Sequence, residues 1–343
     1  MKVWHKVPSD NHIVHPFKDS EQVIACDLPL PWSEFWSIHC VRKGYNIVHL
    51  QYLQTNLFFN GHPILSIFRT ILFILNVIIL KLTRTRIVWT AHHTTGHESE
   101  IELLDRIGRQ TLFILADHIF VLSPPIRQQI ESEYSVRAPI SVAELGNYRI
   151  LHEERQRGGD PSSKFPSAGP VVSMIGLIRR YKRVPLGIQA FDHSNVATNM
   201  LIAGKPMDTS IHTEVQDAIT TTSKPVTTHP KFISDAGLVE YVDKSDVVLI
   251  LNDQSTVPAT AYLAAACRTP VVSAPGGIKE YLITEYDIGI VSDSTSESDI
   301  GAAIDEALSD SDEFCWEKFD QDHQWDDYKS THFEVYTSLI RNT

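Results

Sequence analysis

The sequence is poor in cysteine, in positive charge and in long apolar runs. Its 343 residues hold four cysteines, Cys26, Cys40, Cys267 and Cys315. No two form a CxxC pair and none has metal-site spacing, which excludes a disulfide scaffold and a cysteine zinc module. A reduced, cytoplasmic compartment is expected. Lys and Arg number 30 against 42 Asp and Glu, a formal net charge of -12. That balance excludes a general nucleic-acid binder, which would be basic. The first ten residues, MKVWHKVPSD, contain no apolar h-region, so no signal peptide is expected. The most apolar stretch, ILFILNVIIL, is preceded by Arg69 and ended by Lys81. It falls short of the roughly 20 residues that span a bilayer. A helix buried in a large core is the leading expectation for 63–82. A membrane-surface helix with Lys81, Arg84 and Arg86 at its end is the alternative, and a true span the third reading.

What is present reads as α/β. Hydrophobic residues make up 43% and charged residues 21%, as in a globular chain large enough for two domains. Strand-like runs (YNIVHLQYL, RIVWTAHH, DHIFVLS) alternate with helical ones (63–82, SEIELLDRIGRQTLFILA, PPIRQQIESEY). The polar, Gly-, Ser- and Pro-rich stretch 153–170 reads as a linker. After it the alternation restarts with VVSMIGLI, VPLGIQAFDHS and NMLIAGKP. TEVQDAITT and GLVEYVDKS read as two successive helices, followed by DVVLILN, ATAYLAAACR, TPVVSAP and GGIKEYLIT as strand, helix, strand and helix. The expectation is two Rossmann-like, doubly wound domains facing a central cleft. They run over 1–157 and 171–312, joined by a linker at 158–170. A helix in 313–343 is expected to pack back toward the first.

Ligands of open parallel sheets bind beyond the C-terminal strand ends, so the loops there are the places to look. In WTAHHTTGHESE, His92 and His93 end a strand, with His97 and Glu98 close behind. His93 and His97 are four apart and could hold zinc, but Gly96 interrupts the helix and a third ligand is missing. His92 is otherwise a hydrogen-bonding or acid/base group, or a solvated loop histidine. GLIRRYKRV carries Arg179, Arg180, Lys182 and Arg183 in an acidic chain. Arg179 and Lys182 at a strand end could neutralise a diphosphate, the first as a planar fork and the second as a point charge. Ser255 and Thr256 precede a helix whose first turn holds Thr260, a grammar that suits either phosphate or ordinary capping. Gly276 and Gly277 allow close backbone approach after a strand, with Glu280 just inside the next helix.

Together these loops resemble the GT-B glycosyltransferases of the glycosyltransferase family 4 type. GLIRRYKRVPLGIQAF is similar to their G-x-[IL]-R-x-Y-K-G element, with Arg183 in place of the usual glycine. TAHHTTGHE is similar to T-x-H-N-x-x-P-H-E, and TPVVSAPGGIKEYL to a closing element. The resemblance covers roughly 45–310. It implies a retaining, metal-independent hexosyltransferase using a UDP- or GDP-linked sugar as substrate, with no cofactor. The acceptor would be a glycan or a lipid-linked glycan, as in polysaccharide biosynthesis. It implies that His92, Arg179 and Lys182 are catalytic, and that Gly176, Ser255, Thr256, Thr260, Gly276, Gly277 and Glu280 bind the donor. His93, His97 and Glu98 fall on the acceptor side. Two departures stand out. The family's paired glutamates fall on Ser255 and Leu263, and the Gly-rich loop usual after the first strand is missing. A catalytically silent sugar-nucleotide-binding protein is therefore the alternative. The expected location is the cytoplasm, with the inner face of the cell membrane as the alternative raised by 63–86.

Overall fold

The computed structural model describes residues 1–7, 11, 13–25, 28, 33–53, 62–93, 101–149, 165–166, 169–252, 258–310 and 313–341. The chain divides into two units: Met1–Leu145 with Trp325–Thr343, and Gly146–Gln324.

Unit 1 is built on a six-stranded, all-parallel sheet. Its strands are β1 (Val3–Lys6), β2 (Val23–Ala25), β3 (Ile47–Leu50), β4 (Arg86–Ala91), β5 (His118–Val121) and β6 (Ile140–Val142), in the order β2-β1-β3-β4-β5-β6. Val3 pairs with Val23 on one side and Ile47 on the other, so β1 is where the winding reverses. The helices are α1 (Trp36–Lys43), α2 (Pro63–Leu82), α3 (Glu102–Leu115), α4 (Pro124–Glu133) and a last one, Trp325–Arg341, which returns from the far end of the chain. β3 and β5 are buried throughout, as strands covered on both faces must be.

α2 differs from the buried core helix expected at 63–82. Its inner side is buried, but Ile64, Phe68, Ile71, Leu75, Ile78 and Leu82 are exposed. The anchor on the inner side is Asn76. Its Oδ1 accepts from the Ser37 N–H at 3.0 Å and the Ser37 hydroxyl at 2.6 Å. Its Nδ2 donates to the carbonyls of Glu34 and Leu72, both at 2.8 Å. A buried amide with all four bonds made fixes the rotation of the helix against α1.

Unit 2 repeats the plan with β7 (Val171–Ile175), β8 (Asn199–Ala203), β9 (Val226–His229), β10 (Val247–Ile250), β11 (Val271–Ser273) and β12 (Gly289–Val291). The order is β12-β11-β10-β7-β8-β9, again all parallel. The helices α5 (Val184–His193), α6 (Thr209–Thr221), α7 (Asp235–Asp243), α8 (Ala259–Ala266), α9 (Gly277–Tyr286) and α10 (Glu297–Ser309) cover it. The aliphatic core runs through Val172, Ile188, Phe191, Ile202, Leu249 and Ile304. TEVQDAITT and GLVEYVDKS are indeed helical, but β9 lies between them. Its sequence, VTTH, is an edge strand only partly buried, so it lacks the apolar run that marks the others.

Candidate functional site

β7 has β8 on one side and β10 on the other, so the winding of unit 2 reverses there. A crevice opens outside the strand ends at such a point. The loop after β7 is GLIRRYKRV. Gly176 takes φ 95, and a side chain there would meet Lys182 Nζ at 3.0 Å and Thr260 Oγ1 at 3.9 Å. The missing Cβ is the space over which an ammonium from one loop and a hydroxyl from the first turn of α8 converge. Gly204, at the end of β8, is also obligatory, since its Cβ would lie 1.9 Å from the Gly176 carbonyl oxygen. The two loops are further tied by Ile178 N–H to Lys205 O at 3.0 Å and Met207 N–H to Ile178 O at 3.1 Å. The cationic loop is therefore held by backbone.

The four cations take different roles. Lys182 is half-buried and donates to Ile175 O at 3.1 Å. Burial, and then the charge of Arg179, bring its pKa down to about 8. Arg179 thus adds a second positive charge beside it, just before the 3-10 turn Arg180–Lys182. Arg180 is not merely solvated. It bonds both Glu214 oxygens, at 2.7 and 2.9 Å, and the Ser210 hydroxyl at 3.0 Å, clamping the start of α6. Arg183 has φ 51 and ψ 43, the left-handed region that a glycine occupies without cost. This is the physical reason glycine suits the position.

Gly276 and Gly277 have φ 99 and 76, and nothing lies within 4 Å of where a Cβ on Gly276 would be. Glu280 folds back to accept from the Gly276 N–H, while Lys279 donates to the Gly276 carbonyl at 2.9 Å. In this structure Glu280 caps its own helix. Leu263, on α8, is buried. Ser255 and Thr256 lie outside the described residues, as do His97 and Glu98 and most of the 158–170 linker. Among the described residues no group of three His, Cys, Asp or Glu could hold a metal.

In unit 1, His92 follows β4 and is buried, stacked on Tyr52 with centroids 4.6 Å apart. Its Nε2 lies 3.1 Å from Gln51 Oε1. Gln51 Nε2 lies 3.3 Å from His5 Nδ1, and His5 Nε2 lies 2.9 Å from the Tyr336 hydroxyl. That hydroxyl is 2.6 Å from His49 Nδ1, whose Nε2 is 2.7 Å from Thr90 Oγ1. Burial first, then nearby histidines, lower the His5 pKa to about 3 and hold His49 well below its usual value. Both rings are therefore neutral, each with one donor and one acceptor nitrogen. The network assigns the protons in a single direction. The Gln51 amide donates to His5, His5 to Tyr336, Tyr336 to His49, and His49 to Thr90. At the other end His92 donates Nε2–H to Gln51 Oε1. His93, beside it, gives its carbonyl to Arg109 Nη1 at 2.6 Å, and Arg109 pairs with buried Asp105 at 2.6 Å. Gln51, His5, His49, Tyr336 and Arg109 were not foreseen. Their contacts join distant parts of the chain, and only the high histidine content hinted at them.

Residues 159–329 match the model of the family described as glycosyl transferases group 1. This group 1 segment contains the whole Gly176–Lys182–Thr260 arrangement. No curated protein matches the chain significantly. Among solved structures, it is similar to Anabaena HepE in complex with UDP and glucose, at 13% identity and TM-score 0.72, covering 98% of this chain and 100% of that one. A glycosyltransferase from Rickettsia africae is similar at 12% identity and TM-score 0.72, over 100% and 99%. Sucrose-phosphate synthase from Thermosynechococcus elongatus follows at 15% and 0.69, over 90% and 77%. The two doubly wound units are those of the GT-B fold, and the segment that matches the group 1 model covers most of the second.

Proposed function

We propose that the chain is a retaining glycosyltransferase. It moves a hexose from a UDP- or GDP-sugar to a glycan or lipid-linked acceptor in the cytoplasm, without a metal. The observation that carries this reading is the convergence of Lys182 Nζ and the Thr260 hydroxyl over Gly176, at the winding reversal of the group 1 segment. The similar HepE structures hold UDP and UDP-glucose, which supports a nucleotide-sugar donor.

As the sugar–phosphate bond breaks, the diphosphate gains negative charge. A fixed, partly desolvated cation stabilises that state more than the ground state. Lys182, with a pKa of about 8, is mostly protonated at neutral pH, and Arg179 adds a planar fork. The acceptor hydroxyl attacks the face from which the phosphate leaves, its proton passing to that phosphate, so configuration is retained. His92, oriented by its Nε2–H bond to Gln51, binds the sugar's hydroxyls and is not the base. Ser255, Thr256, Gly276, Gly277 and Glu280 complete the donor side, and His93, His97 and Glu98 the acceptor side. Glu280 would have to leave the Gly276 N–H, or share it, to meet the donor.

One observation favours a second reading. Leu263, at the place of a family glutamate, is apolar and buried, which suits a silent nucleotide-sugar-binding protein. A panel of UDP-, GDP- and ADP-sugars with candidate acceptors decides. Release of nucleotide that survives EDTA supports the enzyme. Binding without turnover supports the silent protein, and no binding at all sinks both.

A further inference from the structure

The outer face of α2 is apolar from end to end. Ile64, Phe68, Ile71, Leu75, Ile78 and Leu82 recur at three- and four-residue spacing, with Phe68 64% and Leu82 79% exposed. They make a stripe about 27 Å long. α1 and α3 pack beside α2 and extend it with exposed Ile38, Val41, Leu103 and Ile107. Single exposed apolar residues need no explanation, but a contiguous face does. A membrane span is not the explanation, because the inner side of α2 is built into unit 1 by buried Ser66, Thr70 and Asn76.

Charge indicates what covers this face. On α1, α2 and α3 the exposed charged side chains are Arg42, Lys43, Arg106 and Lys81, the last paired with Asp117 at 3.0 Å, against one carboxylate, Glu102. That excess stands out in a chain of net charge -12. Where α2 ends there is a cavity of about 270 Å³, lined by Val41, Asn46, Thr83, Arg84, Thr85 and Arg86 among others. Val41 belongs to the apolar face as well, so the two are continuous.

Arg84 is the unusual member. The Arg84 N–H bonds Lys81 O at 3.2 Å and the Thr85 N–H bonds Leu80 O at 3.0 Å, a Schellman ending with Arg84 at φ 58. Glycine would hold that conformation without the steric cost of a side chain. Arg268 stands in the same backbone state, but its guanidinium pairs with Asp320 and lies over Trp316. Among the described residues, no ion pair or side-chain hydrogen bond engages Arg84. A strained cation is thus kept in the wall of a cavity that it shares with Arg86, Asn46, Thr83 and Thr85.

We propose that this face docks on an anionic lipid surface. α2 lies in the interface, its stripe among the acyl chains, and a lipid phosphate enters the cavity at Arg84. A second copy of the chain fits less well, since a self-complementary contact would bring the same four cations together. The docking deepens the glycosyltransferase reading by placing its acceptor at a lipid surface, and rests on that reading for the acceptor alone.

The test is flotation of the full chain with phosphatidylcholine vesicles, with and without phosphatidylglycerol, over a salt series, together with its mass in solution. The chain is expected to float with the anionic vesicles and to be released by salt. The variant Phe68→Gln, Ile71→Gln, Leu75→Gln should lose binding more than about 100-fold. Arg84→Gly should bind roughly fivefold more weakly while its melting temperature stays or rises. Since that variant relieves backbone strain, weakened binding would not be a folding defect. Vesicle binding by a chain that turns over no nucleotide-sugar would support docking and sink the enzyme reading. The proposal is overturned if the wild-type chain ignores anionic vesicles, or if the triple variant binds as well as wild type. A wild-type dimer that the triple variant dissolves, without vesicle binding, would assign the face to a second copy. Unchanged binding by Arg84→Gly would overturn the phosphate pocket.

Discussion

The two units share a sheet plan and almost nothing else. Each has six parallel strands with the winding reversed at its first strand. Unit 1 carries 15 Lys and Arg against 16 Asp and Glu, and unit 2 carries 15 against 26. The acidic excess of the chain therefore belongs to unit 2, and the cations of its β7 loop are set in the more acidic half. Unit 1 keeps its charges balanced, exposes an apolar helix face and buries hydrogen-bonded histidines. One scaffold can thus be specialised by where polar groups go. Unit 2 concentrates charge on a backbone-held loop, and unit 1 puts polarity into the core.

The largest expected effect removes the feature that distinguishes unit 2. Lys182→Met should lower turnover by about 10²–10³-fold and weaken nucleoside diphosphate binding, measured by calorimetry, with the circular dichroism spectrum unchanged. Wild-type affinity in this variant would remove Lys182 from the site. Binding should also be linked to protons. An anion beside Lys182 favours its charged form, so binding near pH 8 should take up a proton and weaken as pH rises above it. Calorimetry in buffers of different ionisation heat reads this directly.

In unit 1 the corresponding damage is to stability. Arg109→Met leaves Asp105 buried without its partner and should cost about 3–5 kcal/mol in denaturant unfolding, while releasing the His93 carbonyl. A cost under about 1 kcal/mol would mean that the pair acts like a surface one. Tyr336→Phe cuts the histidine chain in the middle and should cost about 1–3 kcal/mol. Nitrogen-detected histidine spectra should then lose the single tautomer of His5 and His49, and unchanged spectra would refute the assigned direction.

Acid should separate the units. Burial lowers His5 and His332 to about 3 and His118 to about 4, and holds His49 well down. The unfolded chain takes up these protons near pH 6.5 while the folded unit refuses them. Unit 1 should therefore lose stability as pH falls from about 6.5 toward 3–4, by up to about 1.4 kcal/mol per pH unit for each proton. In unit 2, Asp208 and Asp299 have pKa values lowered by serine hydrogen bonds, so their contribution is lost only at still lower pH, below the usual carboxyl value. Trp4, Trp36 and Trp89 lie in unit 1, so tryptophan fluorescence should change before far-ultraviolet dichroism does. Coincident transitions would remove the contrast.

Much of unit 2 could be read from the sequence because its signals are local. Apolar runs mark β7, β8 and β10, and the cations and glycines lie in the loops that follow strands. Two strands escaped: β9 is a polar edge with no such run, and β12 is only three residues long. Unit 1 was read less well because its informative contacts are long-range. Gln51 meets His92 across 41 positions, and Tyr336 meets His5 across 331. A histidine at the end of a strand announces itself, but the residue that orients its ring does not. The misreading of α2 has the same origin. Apolar periodicity shows that a helix forms, and when both faces are apolar it does not show which one the protein covers.

The smallest effect bears on the one cation of the β7 loop whose residue type runs against its backbone. Arg183 sits at φ 51, where a non-glycine residue costs about 1 kcal/mol. Part of that is returned because arginine restricts the unfolded chain more than glycine does. Arg183→Gly should therefore stabilise unit 2 by at most about 1 kcal/mol, a rise in melting temperature of roughly 2–4 °C. If Lys182 and Arg179 carry the diphosphate, nucleotide affinity in this variant should stay within about twofold of wild type. A larger loss would show that the strain is retained because Arg183 also holds the donor, and the division of labour within the loop would have to be redrawn around three cations instead of two.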